Sequence, residues 1–435
     1  MKGFVVFCAL LLWAFALPAV AEEAPPWTLE SMLHRAMEKN ARIASESLRL
    51  EAARDSVLSA RGAFLPRVVA SGSLSRIENP DSVDELDPDY ISQTGRTWRV
   101  GVQQNIFDGL GRWNTYARAD LVRERSHQQL RRTFREVALE VRTTYFRLLR
   151  TRADITAYEA SVTRLEKQSE AAQAFFEARV APRLFILQTE TALAEAHQRL
   201  SQAKSDEQVQ LVLLRSLMGL EPDYPIQVEG DFDAFAPEHY PDMEESLFLA
   251  REHLPEIFTA RLDVEIARRD MNTSRSRFSP SVDVYADYVN QHIEYGSTMA
   301  TDRDRSYYSL GVNVTWELFS GGSTYYETRS HRRTMESAEA MLRDVLLAVD
   351  ARVREIHLNV KESENQIRIA HIRKADAREA YEQADMRIRM GTGTTLDLLD
   401  AQERVTVAES SLNQAMADYY IALANLRRFI SQNDF

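Results

Sequence analysis

The chain has 435 residues, and its 53 Lys and Arg against 65 Asp and Glu give a net charge of −12. That acidity argues against a nucleic-acid partner, because backbone binding needs a basic surface. A mean hydropathy of −0.37 excludes a bundle of membrane-spanning helices, and 15 Gly, about half the usual ~7% share, points to long helices instead.

Residues 1–21 read as an export signal. Lys2 supplies the positive start, Val5 to Leu17 an apolar stretch, and Ala19-Val20-Ala21 a small-x-small cleavage site. Cleavage there removes Cys8, the single cysteine, and leaves no thiol for a disulfide or a metal. Beyond Glu22 no apolar run reaches the ~18 residues of a spanning helix, so any crossing of a membrane falls to strands.

A first structural repeat is expected over residues 22–218. A helical segment runs from Trp27 to Pro66, followed by a strand pair at about 67–107. Val68 to Ile77 form its weaker member. Trp98, Val100, Val102 and Ile106 share one face of the other, with Gln104 interrupting it and the acidic stretch Glu78 to Arg96 as the loop between. A helical hairpin then spans about 112–218. Its outgoing arm keeps one heptad seam from Leu130 through Val137, Val141, Thr144, Leu148, Val162 and Leu165 to Phe176, unbroken by Pro or Gly. About 65 residues at 1.5 Å each make roughly 100 Å of helix. The chain reverses at Arg179, Val180, Ala181, Pro182 and Arg183 and returns with a seam at Ala196, Leu200, Ala203 and Leu214.

Residues 219–242, rich in Pro and acids, read as an inter-repeat connector or small equatorial hairpin. The same plan then recurs over residues 243–435. Leu33 falls on Leu247, Ile43 on Ile257 and Pro66 on Pro280, and further on Val100 falls on Val312 and Gly109 on Gly321. The second strand pair, about 281–319, carries Val282, Val284, Ala286 and Tyr288 opposite Asp283 and Asp287. Its last strand sets Tyr308, Leu310, Val312, Val314, Trp316 and Leu318 on one face against Ser309, Gly311, Asn313, Thr315 and Glu317. Asn290 to Arg305 reads as the loop between. The second hairpin, about 324–430, repeats the seam at Val349, Val353, Ile356, Val360 and Ile367, and it reverses at Met390, Gly391, Thr392, Gly393 and Thr394.

The fold class expected is therefore mostly α with a small β part. Six apolar residues on one strand face are of the type that faces lipid, yet four strands cannot close a barrel and an open edge is forbidden in a bilayer. Strands must be pooled between chains: three chains give twelve, and two give eight. Chemistry is absent from the pattern. The nine His form no HExxH, there is no GxSxG or Walker loop, and no catalytic, cofactor-binding or metal residue is assigned. Gly109-x-Gly111 and Gly321-Gly322 follow a strand and precede a helix; too short for a phosphate loop, they read as a hinge between the strands and the long helices.

These segments resemble the TolC family of outer-membrane efflux proteins. The resemblance rests on TLESMLHRAMEKNARI at the start, and on ARGAFLPRV and SRFSPSVDV entering the strands. It rests further on NIFDGLGR and ELFSGGST at the strand-to-helix junctions, and on FEARVAPRLFILQTE and RMGTGTTLDLLDAQE at the hairpin tips. It implies a homotrimer with a twelve-stranded barrel in the outer membrane of a Gram-negative bacterium, continued by a periplasmic α-helical tunnel. It also implies a periplasmic adaptor that engages the tips, an inner-membrane pump of RND or ABC type, outer-membrane lipid around the barrel, and no cofactor. The function so implied is passive conduction in efflux or type I secretion. A non-channel periplasmic coiled-coil scaffold is the alternative.

The resemblance also matches Asp397 and Asp400 to an acidic pair lining the tunnel entrance, although Thr394-x-x-Asp397 is equally a capping box. The chain departs from the family at Arg179 and Phe185, where Gly and Asp are usual, and at Gly393, where a basic residue is frequent. An Arg–Asp latch is therefore not carried over; Arg179 or Arg183 is either its substitute or a solvated charge. Phe185 either narrows the lumen or packs in the seam.

Overall fold

The structure, a computed structural model, describes residues 26–78, 92–232, 238–295 and 303–430. The export signal expected at residues 1–21 lies outside them. The described chain runs α1 (Leu29–Lys39), α2 (Ala41–Gly62), β1 (Arg67–Glu78), β2 (Ser92–Phe107), α3 (Gly111–Glu177) and α4 (Arg183–Leu217). It continues with α5 (Met243–His253), α6 (Pro255–Ser276), β3 (Ser281–Tyr295), β4 (Arg303–Thr315), α7 (Ser323–Arg389) and α8 (Thr395–Ile430). The order helix, helix, strand, strand, long helix, returning helix thus occurs twice. Both long helices have 67 residues, about 100 Å each. No described helix is long and apolar enough to cross a membrane.

Local chemistry sets the boundaries. Thr28 caps α1 by accepting from the Ser31 N–H, and Asn40 ends α1 while capping α2 through the Arg42 N–H at 2.9 Å. Asp242 caps α5 in the same way, and Pro255 opens α6 at a position that needs no N–H. The hairpins hold because their heptad positions bury against each other. Val137, Val141 and Leu148 of α3 pack on Leu211 and Leu214 of α4 and on Met32 and Ala36 of α1. Val349, Val353 and Ile356 of α7 pack on Leu412, Tyr419 and Leu426 of α8 and on Leu247 and Leu254. Each such side chain contributes about 1.5–3 kcal/mol by leaving water. In the half nearer the sheet α3 packs on α2 and α6; nearer the tips it packs on α4 and α8, and α7 flanks α6 and then α8.

The connector lies across α3. Its Val228 bridges in parallel to Trp27, not to a second connector strand, so among the described residues there is no equatorial hairpin. Tyr145 and Arg152 of α3 donate to its Glu229 and Val228 carbonyls at 2.9 and 2.6 Å.

The sheet is antiparallel in the order β1-β2-β3-β4, which leaves β1 and β4 as its edges. Its register puts Val68, Val102, Ala286 and Leu310 in one row and Ala70, Val100, Tyr288 and Tyr308 in the next, all on one face. That face is bare: Tyr308, Leu310 and Val312 are 81%, 79% and 64% exposed.

Three strand expectations need correction. The last strand stops at Thr315, because its partner begins at Ser281; Trp316 and Leu318 lie beyond it, and Trp316 Nε1 donates to the Phe278 carbonyl at 3.1 Å. The strict alternation of β2 breaks before Ile106. Ile106 is the extra residue of a bulge between Asn105 and Phe107, which sets Phe107 opposite Val282. The stretches expected as loops are also shorter than expected, since Ser92 to Arg96, Asn290 to Tyr295 and Arg303 to Arg305 all join the ladder.

Candidate functional site: the hairpin tips and the strand-to-helix hinges

Both tips close with the same backbone device. At the first, the Val180 N–H bonds the Phe175 carbonyl and the Arg179 N–H bonds that of Phe176; at the second, Thr392 bonds Arg387 and Gly391 bonds Ile388. This pairing satisfies the last carbonyls of a helix and needs a left-handed residue just past its end. Gly391 supplies it at φ +73°, and Arg179 supplies it at φ +59° despite its Cβ. Gly393 is not left-handed; its role is space, since a Cβ there would lie 3.0 Å from Arg387 Cβ and from the Ile388 nitrogen.

Asp397 sits in the third position of α8 and forms a reciprocal cap with Thr394. The Asp397 N–H donates to Thr394 Oγ1 at 3.2 Å, and Oδ2 accepts from the Thr394 hydroxyl at 2.6 Å and N–H at 3.3 Å. Both bonds use Oδ2, so the cap leaves the exposed side chain a second oxygen. The hydrogen bonds from Thr394, aided by the charge of Arg387, lower the Asp397 carboxyl below the usual range and keep it ionised. Asp400, one turn on, is exposed and pairs with Arg404 at 2.8 Å.

Arg179 and Arg183 are exposed, and among the described residues neither forms an ion pair. Val180 is bare at the tip, and Pro182 precedes α4 in an extended conformation. Phe185 is buried with Ala172 and Ile186 and stacks on Phe175 at 6.4 Å, so within the chain it packs in the seam of its hairpin. Leu184, Leu187, Leu396 and Leu399 line an open groove of about 410 Å³ beside the tips.

At the hinges, Gly109, Gly321 and Gly322 have φ of +66°, +64° and +87°, and Leu110 joins them at +70°. Gly111 serves by absence of bulk: a Cβ would meet Ser276 Oγ at 2.7 Å. Asp108 caps α3 through the Arg112 N–H at 2.8 Å, and Ser320 occupies the matching place before α7.

Two features escaped the sequence. One is the left-handed Arg179 and Leu110, which no residue type announces. The other is a polar seam between α3 and α8, where Asn413 donates to Asp154 and Gln402 and Thr406 meet Ser161. Its only signal was the run of polar residues beside the apolar heptads of α8. Among the described residues no group of His, Cys, Asp and Glu is placed to hold a metal ion.

The family model described as outer membrane efflux protein matches residues 32–220 and 247–432. The alkaline protease secretion protein AprF of Pseudomonas aeruginosa is 25% identical over 430 residues, covering 96% of this chain and 88% of that protein. The outer membrane protein TolC of Vibrio cholerae is 22% identical over 411 residues, covering 92% and 90%. Among solved structures, the fold resembles the outer membrane protein VceC of Vibrio cholerae at a TM-score of 0.79 and 17% identity, over 92% of this chain and 95% of that one. It resembles the CmeC outer membrane channel of Campylobacter jejuni at 0.81 and 16%, over 93% and 85%.

Proposed function

The chain belongs to the outer membrane efflux protein family, and from that premise we propose that it is a passive exit duct assembled from three copies. Twelve pooled strands form its barrel in the outer membrane, and the helical hairpins form a periplasmic tunnel. A periplasmic adaptor engages the tips at residues 179–183 and 390–394, and an inner-membrane pump of RND or ABC type supplies the energy. The duct itself holds no cofactor and performs no catalysis. Efflux of small molecules and type I secretion of proteins both suit it, because the pump selects the cargo.

The observation that carries this reading is the sheet. Four strands present one apolar face, broken only at polar Gln104 along its middle rows, and end in two edges, β1 and β4, with open backbone groups. Lipid accepts the face and forbids the edges, so closure by further copies answers both. A scaffold has no use for that face. Within the duct, Asp397 and Asp400 of three chains form two carboxylate rings at the entrance. The test is the mass of the detergent-solubilised protein by native mass spectrometry. Three times the 49.8 kDa chain, less any cleaved signal, is expected, and a monomer sinks the reading.

A further inference from the structure

Each hairpin is held by an apolar seam, but the two hairpins meet, α3 on α8, through polar groups. At the centre of that meeting Asp154 is 6% exposed. Its Oδ1 accepts from Asn413 Nδ2 of α8 at 2.9 Å, Ser410 of α8 also bonds the carboxyl, and Arg150 Nε lies 3.4 Å from Oδ2. Two turns towards the tips, Gln402 Nε2 donates to the Ser161 carbonyl at 3.3 Å, and the Thr406 and Ser161 hydroxyls lie 3.2 Å apart. In the other direction the seam ends on an aromatic clamp, with Phe146 stacked on Tyr420 at 4.8 Å and Phe232 beyond it at 6.1 Å. An open cavity of about 490 Å³, lined by Arg150, Tyr158, Ser410 and Gln414 among others, lies against two of the groups that bond the carboxyl, Arg150 and Ser410.

We infer that Asp154 is a proton-linked latch between the two hairpins: protonation draws the α3–α8 seam together, and ionisation loosens it below the Phe146–Tyr420 clamp. The consequence for conduction rests on the duct reading, in which a tighter seam narrows the tunnel as the periplasmic side acidifies.

The physical cause is the cost of a buried charge. An ionised carboxylate in this seam gives up hydration that it regains when the helices part, whereas a neutral carboxyl gives up little. Burial accordingly pushes the Asp154 carboxyl above the ordinary range, while Asn413, Arg150 and Ser410 oppose it without cancelling it. The sign follows from linkage. A carboxyl with a higher pKa in the closed seam than in the parted one binds its proton more tightly when closed, so closure is favoured as pH falls through the raised value. The other charged groups along this stretch are Arg150 on α3, Arg199 of α4, which is paired with Glu403 of α8 at 2.6 Å across the cavity, and the α3–α4 pairs Arg152–Glu207 and Glu159–Lys204, each at 2.8 Å. Elsewhere α8 offers the carboxyl only neutral partners, Ser410 and Asn413.

The test measures the seam itself. Spin labels at the exposed positions of Thr163→Cys and Val407→Cys report the α3–α8 distance in the solubilised full-length protein by pulsed dipolar spectroscopy. The wild-type distribution is expected to shift shorter and narrower as the pH is lowered from neutral into the acid range, because a carboxyl raised by burial takes up its proton before an ordinary one does. Asp154→Asn, nearly equal in volume and always neutral, is expected to stay short throughout. The same shift must survive Asp397→Asn with Asp400→Asn, which separates the seam from the tip carboxylates. Asn413→Asp, which sets a second carboxyl beside the first, is expected to move the midpoint to higher pH. A wild type without a shift, an Asp154→Asn variant that keeps one, or an unmoved midpoint in Asn413→Asp overturns the latch. Because the distance is read without transport, its failure leaves the duct reading standing.

Discussion

Arg179 and Gly391 hold the same left-handed backbone at equivalent places in the two hairpin tips, with φ of +59° and +73°. Nothing lies within 4 Å of a Cβ built at Gly391, so what the position resists is conformation and not bulk. An L-residue in this region costs roughly 1–2 kcal/mol, and the first tip carries that cost for its arginine. In the proposed duct this tip meets the adaptor, and a charge kept at such a cost fits that contact. Arg179→Gly is therefore expected to steady the first tip by about 1 kcal/mol, read as slower amide exchange at the ends of α3 and α4, while adaptor binding weakens. If exchange is unchanged, the strain argument is wrong; if binding is unchanged, the partner argument is.

The hinge glycines differ from one another, and the difference is measurable. At Gly109 a Cβ would lie 2.6 Å from the Ser276 carbonyl oxygen, whereas at Gly321 nothing lies within 4 Å. Gly321→Ala faces only the left-handed penalty of about 1–2 kcal/mol, and Gly109→Ala adds a backbone clash. Thermal unfolding of the solubilised protein is expected to fall clearly further for Gly109→Ala. Equal losses would mean that the first hinge yields to the added methyl.

Facing in the proposed barrel gives a second contrast. Val312 stands in the bare apolar row opposite Val284, and its neighbour Asn313 points to the other face opposite Asp283. Val312→Arg sets a charge against lipid at about 2–4 kcal/mol per copy, whereas Asn313→Arg remains in water beside a carboxylate. Heat-resistant oligomer on gels should be lost for the first and kept for the second. The opposite order would reverse the sheet.

What the sequence disclosed follows from which forces leave a periodic mark. The seams at Val137, Val141 and Leu148, and at Val349, Val353 and Ile356, were legible because apolar burial repeats every 3.5 residues. Strand ends were not, because they depend on the partner: β4 stops where Ser281 begins, and β3 continues through Asn290, Gln291 and His292 because backbone pairing is indifferent to polar side chains. The bulge at Ile106 hid behind Gln104 for the same reason. Ser161, Gln402 and Thr406 leave no such mark, since a hydroxyl or amide on a helix reads alike whether it meets water or another helix.

The entrance carboxylates make the last prediction. The Thr394 cap and the Asp397 charge are not rivals, because the cap's hydrogen bonds favour the ionised form and lower its pKa. A depressed carboxyl keeps its charge as pH falls past the ordinary carboxylate value and loses it only below. In the proposed trimer, two rings of three carboxylates act on a cation within the ~8 Å Debye length, where salt screens little. The isolated channel should pass cations preferentially and be blocked from the periplasmic side by multivalent cations, with the block persisting into the acid range. Asp397→Asn with Asp400→Asn should abolish the block in planar-bilayer conductance. Thr394→Val removes the hydroxyl that stabilises the charge, so its block should fade at a higher pH than the wild type's. Persistence of the block in the double variant would confine Asp397 to capping α8, and an unmoved pH midpoint in Thr394→Val would show that the cap does not set the charge at the entrance.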